Sequence, residues 1–202
     1  MQRGGAIYSY YSTWTLTSCT IRGNSVDGSS SSSYSYEQSL GGAIYSTTGS
    51  QTWTLYNCTI SENEAIEAYY AYGGAIYTIG ASTWTLYDCT ISRNSATATN
   101  YAYGGAIMSY STWTLTGCTI SDNTATSASY AYGGAIASWS STRTWTLYAC
   151  TFSGNGCVGV YVAYGGAIYN QASNTWYIHS CMFSGNTISA ATHRHGGAIL
   201  TY

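Results

Sequence analysis

The chain contains no proline and no lysine, and charged residues make up 6% of its 202 positions. Ordinary soluble chains carry about a quarter charged residues. The basic residues are Arg3, Arg22, Arg93, Arg143 and Arg194, and a net charge of -2 spread this thinly offers no basic face for nucleic acid or acidic lipid. The polar surface therefore falls to Ser, Thr, Asn and the 23 Tyr. No stretch reaches membrane-spanning length, and no basic-then-apolar signal segment opens the chain. No membrane insertion is expected, and an extracellular protein would have shed its signal or be part of something longer.

What is present is a repeat. GGAI begins at Gly4, Gly41, Gly73, Gly104, Gly133, Gly165 and Gly196. Between these units lies a second constant block, W-T-L-x-x-C-T-[IF]-x-x-N with small departures. Its Trp column is Trp14, Trp53, Trp84, Trp113, Trp145 and Trp176; its Cys column is Cys19, Cys58, Cys89, Cys118, Cys150 and Cys181. The Asn column is Asn24, Asn63, Asn94, Asn123, Asn155 and Asn186. Trp-to-Cys and Cys-to-Asn spacings never change. Cys to the next Gly is 15 residues everywhere except the first repeat, where it is 22. The excess marks a Ser-rich loop insertion at about 27–39. The GGAI-to-Trp spacing wanders between 9 and 12, as a surface turn does.

T-W-T-L-T alternates β-branched and aromatic residues, C-T-I alternates too, and GGAIY is a third apolar run. Three short strands per roughly 31 residues, in fixed register and without helical periodicity, predict an all-β parallel β-helix, a β-solenoid. One domain over 1–202 would hold about six full coils, with identical positions stacked about 4.8 Å apart. A propeller blade needs nearer 40 residues, and antiparallel hairpins bring regular Asn-Gly or Asp-Gly turns; neither fits.

GGA[IL] alternating with F-x-x-N resembles the repeat pair of polymorphic outer-membrane autotransporter passengers. Phe152-Ser153-Gly154-Asn155 and Phe183-Ser184-Gly185-Asn186 match the second motif, and four repeats carry Ile for Phe. The resemblance implies a right-handed β-helix and an adhesin-like role.

In stacked coils, a column of glycine marks a place where the chain turns with positive φ or packs closely. Gly-Gly makes that corner, Ala fits a narrow interior, and Ile7, Ile44, Ile76, Ile107, Ile136, Ile168 and Ile199 fill it. Trp and Leu of W-T-L are expected inside with Ile and Cys. The Asn column is expected at a turn, its amides bonded along the stack. The Cys column is expected as free thiols, because in-register parallel strands hold Cβ atoms too far apart for a relaxed disulfide.

Outward positions supply the remaining candidates. Arg93, between Glu62 and Asp122 in one column, is expected to bridge both. Thr54, Thr85 and Thr114 belong to a Thr-x-Thr array resembling the ice-binding faces of some β-solenoid antifreeze proteins. Tyr72, Tyr103, Tyr132 and Tyr164 are candidate sugar-stacking or lateral-contact residues, or plain aromatic ladders. Asn57-Cys58-Thr59 is an N-glycosylation sequon beside a packed strand.

Some β-helices are polysaccharide lyases and hydrolases, but that chemistry needs clustered carboxylates with basic or metal partners. The seven acids here scatter over different columns, apart from the pair Glu62 and Asp122 with Arg93 between them. The chain is read as no enzyme, with no catalytic residues, metal site or cofactor. It starts and stops close to a GGAI without a capping repeat, so the expected partners are other copies end to end or the rest of a longer β-helix, with glycans as a further class. The functional expectation is an extracellular or cell-surface structural building block of a fibre. A surface adhesin passenger is the alternative, and an ice binder a more distant one.

Overall fold

A computed structural model describes residues 1–29, 36–47, 49–140 and 142–202. Among these, all regular structure is β-strand, and no helix is long and apolar enough to cross a membrane. Each coil passes through four parallel sheets. The first holds the end of GGAI, as in Ile76–Thr78, and the second holds the Trp block, as in Thr83–Tyr87. The third holds the Cys block, as in Thr90–Ser92, and the fourth the segment before the next Gly-Gly, as in Ser95–Tyr103. The sheets contain seven, six, six and eleven strands. Pairing is column on column: Ile76 opposite Ile107, Trp84 opposite Trp113, Ile91 opposite Ile120.

The sequence reading of three strands per coil is corrected to four. The fourth strand mixes Ala, a poor strand former, with Tyr and Thr. Its inward side chains are the small Ala65, Ala71, Ala96, Ala102, Ala125 and Ala131, all fully buried. Large apolar alternation is therefore missing, and the surviving signal was length, because the 15-residue interval from Cys to Gly does not vary.

Four sheets need four corners, and three of them have fixed length. Each of these turns on one left-handed residue per coil. The first Gly of GGAI does so, with φ from 53° to 70°. Between the second and third sheets stand Ser18, Asn57, Asp88, Gly117, Ala149 and Ser180. Before the Asn column stand Gly23, Glu62, Arg93, Asp122, Gly154 and Gly185. The fourth corner, from GGAI to Trp, is the one whose length varies. The second Gly of GGAI serves closeness: a Cβ on Gly74 would run into the carbonyl oxygen of Gly105 and the backbone of Ser95.

In the first coil the fourth sheet is interrupted. Ser25–Asp27 and Gln38–Leu40, on either side of the Ser-rich insertion, both pair with Glu64–Tyr72. Residues 30–35 of that insertion lie outside the described residues.

Candidate functional site

The interior is a set of ladders. Trp53, Trp84, Trp113 and Trp145 are completely buried, while Trp14 and Trp176, in the outermost coils, are half-buried. Their rings stack face to face with centroids 4.5–5.2 Å apart and planes within 14°. Leu, Cys and Ile columns complete this core, with Ile44, Ile76, Ile107, Ile136 and Ile168 fully buried, Ile7 and Ile199 packed at its ends. The cysteines are free thiols. Each inner one points back at backbone carbonyls, as Cys89 Sγ does at Tyr87 O, 3.3 Å, and Leu55 O, 3.6 Å.

The Asn column is a continuous side-chain ladder. The Asn63 amide donates to Asn94 Oδ1 at 2.9 Å and to the Ile21 carbonyl at 3.1 Å. The same pattern runs from Asn24 to Asn186. Each inner rung, Asn63, Asn94, Asn123 and Asn155, thus satisfies both halves of a buried amide.

A polar spine inside the core escaped sequence reasoning. Ser9, Ser46, Thr78, Ser109, Ser138 and Asn170 share one column and are all buried. Three of them accept from tryptophans: Trp14, Trp113 and Trp145 donate to Ser9, Ser109 and Ser138 at 2.7–3.1 Å, whereas the Nε1 atoms of Trp53, Trp84 and Trp176 find no protein acceptor. The signal was present as a small polar residue third after Ala of nearly every GGAI. Cys157, outside the main Cys column, is fully buried beneath the fourth sheet, and burial pushes its thiol up to about 12.

On the surface, the expected Arg93 bridge to Asp122 is corrected. Among the described residues Glu62 is the centre of the cluster, held by Arg22 at 2.7 Å and Arg93 at 3.0 Å. Arg93 reaches back along the stack to Glu62, whereas the short Asp122 side chain leans forward over Gly154. First the Arg22 and then the Arg93 guanidinium hold the Glu62 carboxyl below its usual range.

The Thr-x-Thr array is continuous on the second sheet from Thr13 and Thr15 through Thr54, Thr85 and Thr114 to Thr144 and Thr146. Tyr177 replaces threonine opposite Thr146. Tyr56, Tyr87 and Tyr148 flank the array in the neighbouring column instead of standing within it. Asn57 is exposed in a left-handed turn between strands, while Cys58 of the sequon is buried and Thr59 begins the next strand.

The tyrosines pave the outside of the fourth and first sheets. Tyr70, Tyr101 and Tyr130 form one stacked ladder; Tyr72, Tyr103 and Tyr132 form another. Tyr103 is nearly buried and Tyr72, Tyr132 and Tyr164 half-buried, so only part of each ring reaches solvent. Burial raises the phenols of Tyr72, Tyr103 and Tyr132 above their ordinary value. Both ladders break at the same step: Tyr132 and Tyr164 meet at 70°, and Val162 stands opposite Tyr130. At the break lies a cleft of about 680 Å³ lined by tyrosines, Trp139 and Gln171.

Residues 4–188 match the family model described as "Right handed beta helix region". The chain belongs to the right-handed β-helix family. No curated protein and no solved structure was found to match it. Membership of the right-handed β-helix family gives the hand of the coil and leaves the activity open, since a fold of this kind hosts many functions.

Proposed function

We propose that this right-handed β-helix is a non-catalytic, extracellular structural element, a rod that continues coil upon coil with further copies or with the rest of a longer shaft. The observation that supports this is translational regularity. From Ile7 opposite Ile44 to Ile168 opposite Ile199, the first sheet never slips register, and the Trp and Cys sheets behave alike. A strand added along the axis meets the same pairing groups and the same columns that each internal coil meets. Few charges interrupt the stack, so like-charge repulsion between coils is small.

The test is electron microscopy of the material isolated from its source, with power spectra of elongated objects. Continuous filaments with a meridional repeat near ~4.8 Å support the structural reading. Separate short rods projecting from a membrane overturn it and favour the second reading, a surface adhesin of the kind suggested by the GGA[IL] and F-x-x-N repeats. That second reading draws on the tyrosine-lined cleft, a recognition-sized concavity on the side of the rod.

A further inference from the structure

Along most of the rod, the tyrosine rings are unavailable as binding platforms. Tyr72, Tyr103 and Tyr132 stack within 9° at 4.9–5.1 Å, so each ring face is covered by its neighbour and solvent meets only edges and hydroxyls. Tyr70, Tyr101 and Tyr130 are occupied in the same way. A ligand that needs a ring face must bind where stacking stops.

Two columns of the fourth sheet stop at one step, beside a gap in the tyrosine column of the first sheet. Val162 stands opposite Tyr130, and the Tyr164 ring is turned to 70° from Tyr132. In the first sheet, the column of Tyr45 and Tyr77 continues through Met108 to Ala137, and returns to tyrosine at Tyr169. Trp139 leans edge-on to Tyr103 at 72°, with centroids 5.1 Å apart, and Tyr132 meets Tyr169 at 45°. The space left between these rings is the cleft of about 680 Å³, within the usual range for small-ligand sites. Tyr103 and Tyr169 form its floor, and the half-exposed Tyr132, Trp139 and Tyr164 its walls.

The chemistry of the lining selects the ligand. It consists of seven tyrosines, one tryptophan and Gln171, and contains no charged side chain. Gln171 is exposed and accepts from the Tyr169 hydroxyl at 2.8 Å through Oε1, which leaves its amide hydrogens oriented by that bond. An apolar plug from another protein would cover the ring faces but strand the phenol and amide groups, at the usual penalty for desolvated polar atoms. An acidic ligand would find no cation. A polyhydroxylated pyranose ring satisfies both features, with its C–H face on an aromatic face and its hydroxyls on phenols and amide. We propose that the ladder break at Ala137, Val162 and Tyr164 is a binding site for a neutral oligosaccharide, with Trp139 as its platform and Gln171 as its polar anchor. The site is independent of whether the rod belongs to a fibre or to an adhesin.

The experiment is isothermal titration of the full chain with four neutral hexasaccharides: cellohexaose, xylohexaose, maltohexaose and N-acetylchitohexaose. At least one is expected to bind with a dissociation constant below roughly 1 mM. Trp139→Ala and Gln171→Ala should each weaken that binding tenfold or more, while Tyr56→Ala, on the flank of the threonine face, leaves it unchanged. Melting curves by circular dichroism confirm that the variants remain folded; should Trp139→Ala unfold, Trp139→Phe takes its place, with the same sign. Absence of binding by all four sugars overturns the site, and so does binding that the Trp139 and Gln171 variants do not weaken. Neither result bears on filament formation.

Discussion

Asn94 donates twice to one atom of Asn123: its backbone N–H and its side-chain amide both reach Asn123 Oδ1, at 3.0 and 2.9 Å. Asn63 does the same to Asn94. Replacing Asn94 by Ala therefore removes its side-chain donor, keeps its backbone N–H, and leaves two donors of Asn63 without their acceptor in a buried site. At about 1–3 kcal/mol for each stranded group, partly relieved by relaxation, Asn94→Ala should destabilise by roughly 3–5 kcal/mol. Asn94→Asp should be at least as damaging, since a carboxylate cannot donate to the Ile60 carbonyl that the amide now serves at 3.1 Å. Urea denaturation followed by circular dichroism measures both. A loss under 1 kcal/mol would mean that backbone pairing, not the amide ladder, holds that corner.

The tryptophan ladder gives a sharper comparison, because its rungs differ in one hydrogen bond. Trp113 donates to Ser109 at 2.7 Å, whereas the buried Trp84 Nε1 finds no protein acceptor. Thr78, the polar-column residue of the same coil, is engaged with Ser109 and Ser111 instead. Phenylalanine preserves much of the stacking at either rung. Trp113→Phe should therefore lose about 1 kcal/mol more than Trp84→Phe. Truncation to alanine should cost about 3–5 kcal/mol at either buried rung, and less at the half-buried Trp14. Paired denaturation curves decide the matter; equal losses in the two Phe variants would show that the Ser109 bond contributes nothing net.

The strands with large inward residues were legible because alternation survives: Trp and Leu in one, Ile between Thr and Ser in another. The fourth strand hid behind Ala65, Ala71 and their column mates, whose side chains are too small to produce a periodic signal. The glycine corner could be read from GGAI. The other two left-handed corners could not, since residues such as Asn57, Asp88, Glu62 and Arg93 occupy them more often than glycine does; the hint was Gly23, Gly154 and Gly185 in one column. The Arg93–Glu62 half of the expected bridge stands, and the Asp122 half was misassigned because a column of charges gives adjacency but not the direction in which each side chain leans. The tyrosine columns were visible as residues, yet the cleft arises from where they fail, at Ala137 and Val162, which no repeat consensus brings forward.

Two glycines separate the requirement for left-handed backbone from the requirement for space. Gly23 has φ +67° with nothing within 4 Å of an added Cβ. Gly23→Ala should therefore lose only the left-handed strain, about 1–2 kcal/mol, less the entropy gained by removing glycine. In Gly74 the left-handed problem is absent, but an added Cβ collides with the Gly105 carbonyl and the Ser95 backbone. Backbone cannot move aside as a side chain can, so Gly74→Ala should abolish folding of the coil. Thermal melts and limited proteolysis of the two variants provide the check. A Gly74→Ala protein that melts near wild type would show that adjacent coils separate far more easily than their close stacking implies.

Cys157 makes stability sensitive to alkali. Burial moves its thiol from 9.0 to about 12 in the folded protein, so the unfolded chain loses this proton first. The contribution of the protonated thiol is therefore complete below about pH 9 and declines as pH rises toward 12, with a limiting slope of about 1.4 kcal/mol per pH unit. Tyr72, Tyr77, Tyr103, Tyr132 and Tyr169 are shifted in the same direction by burial. Their contribution to alkaline loss begins higher, above about pH 10, where unfolded phenols ionise. Unfolding free energy measured between pH 8 and 10 should thus fall for the wild type, and fall less steeply for Cys157→Ala, even though the variant starts lower because of its cavity. The slope, not the starting value, carries the test. Identical slopes would mean that the Cys157 thiol ionises in the folded rod as readily as in the unfolded chain.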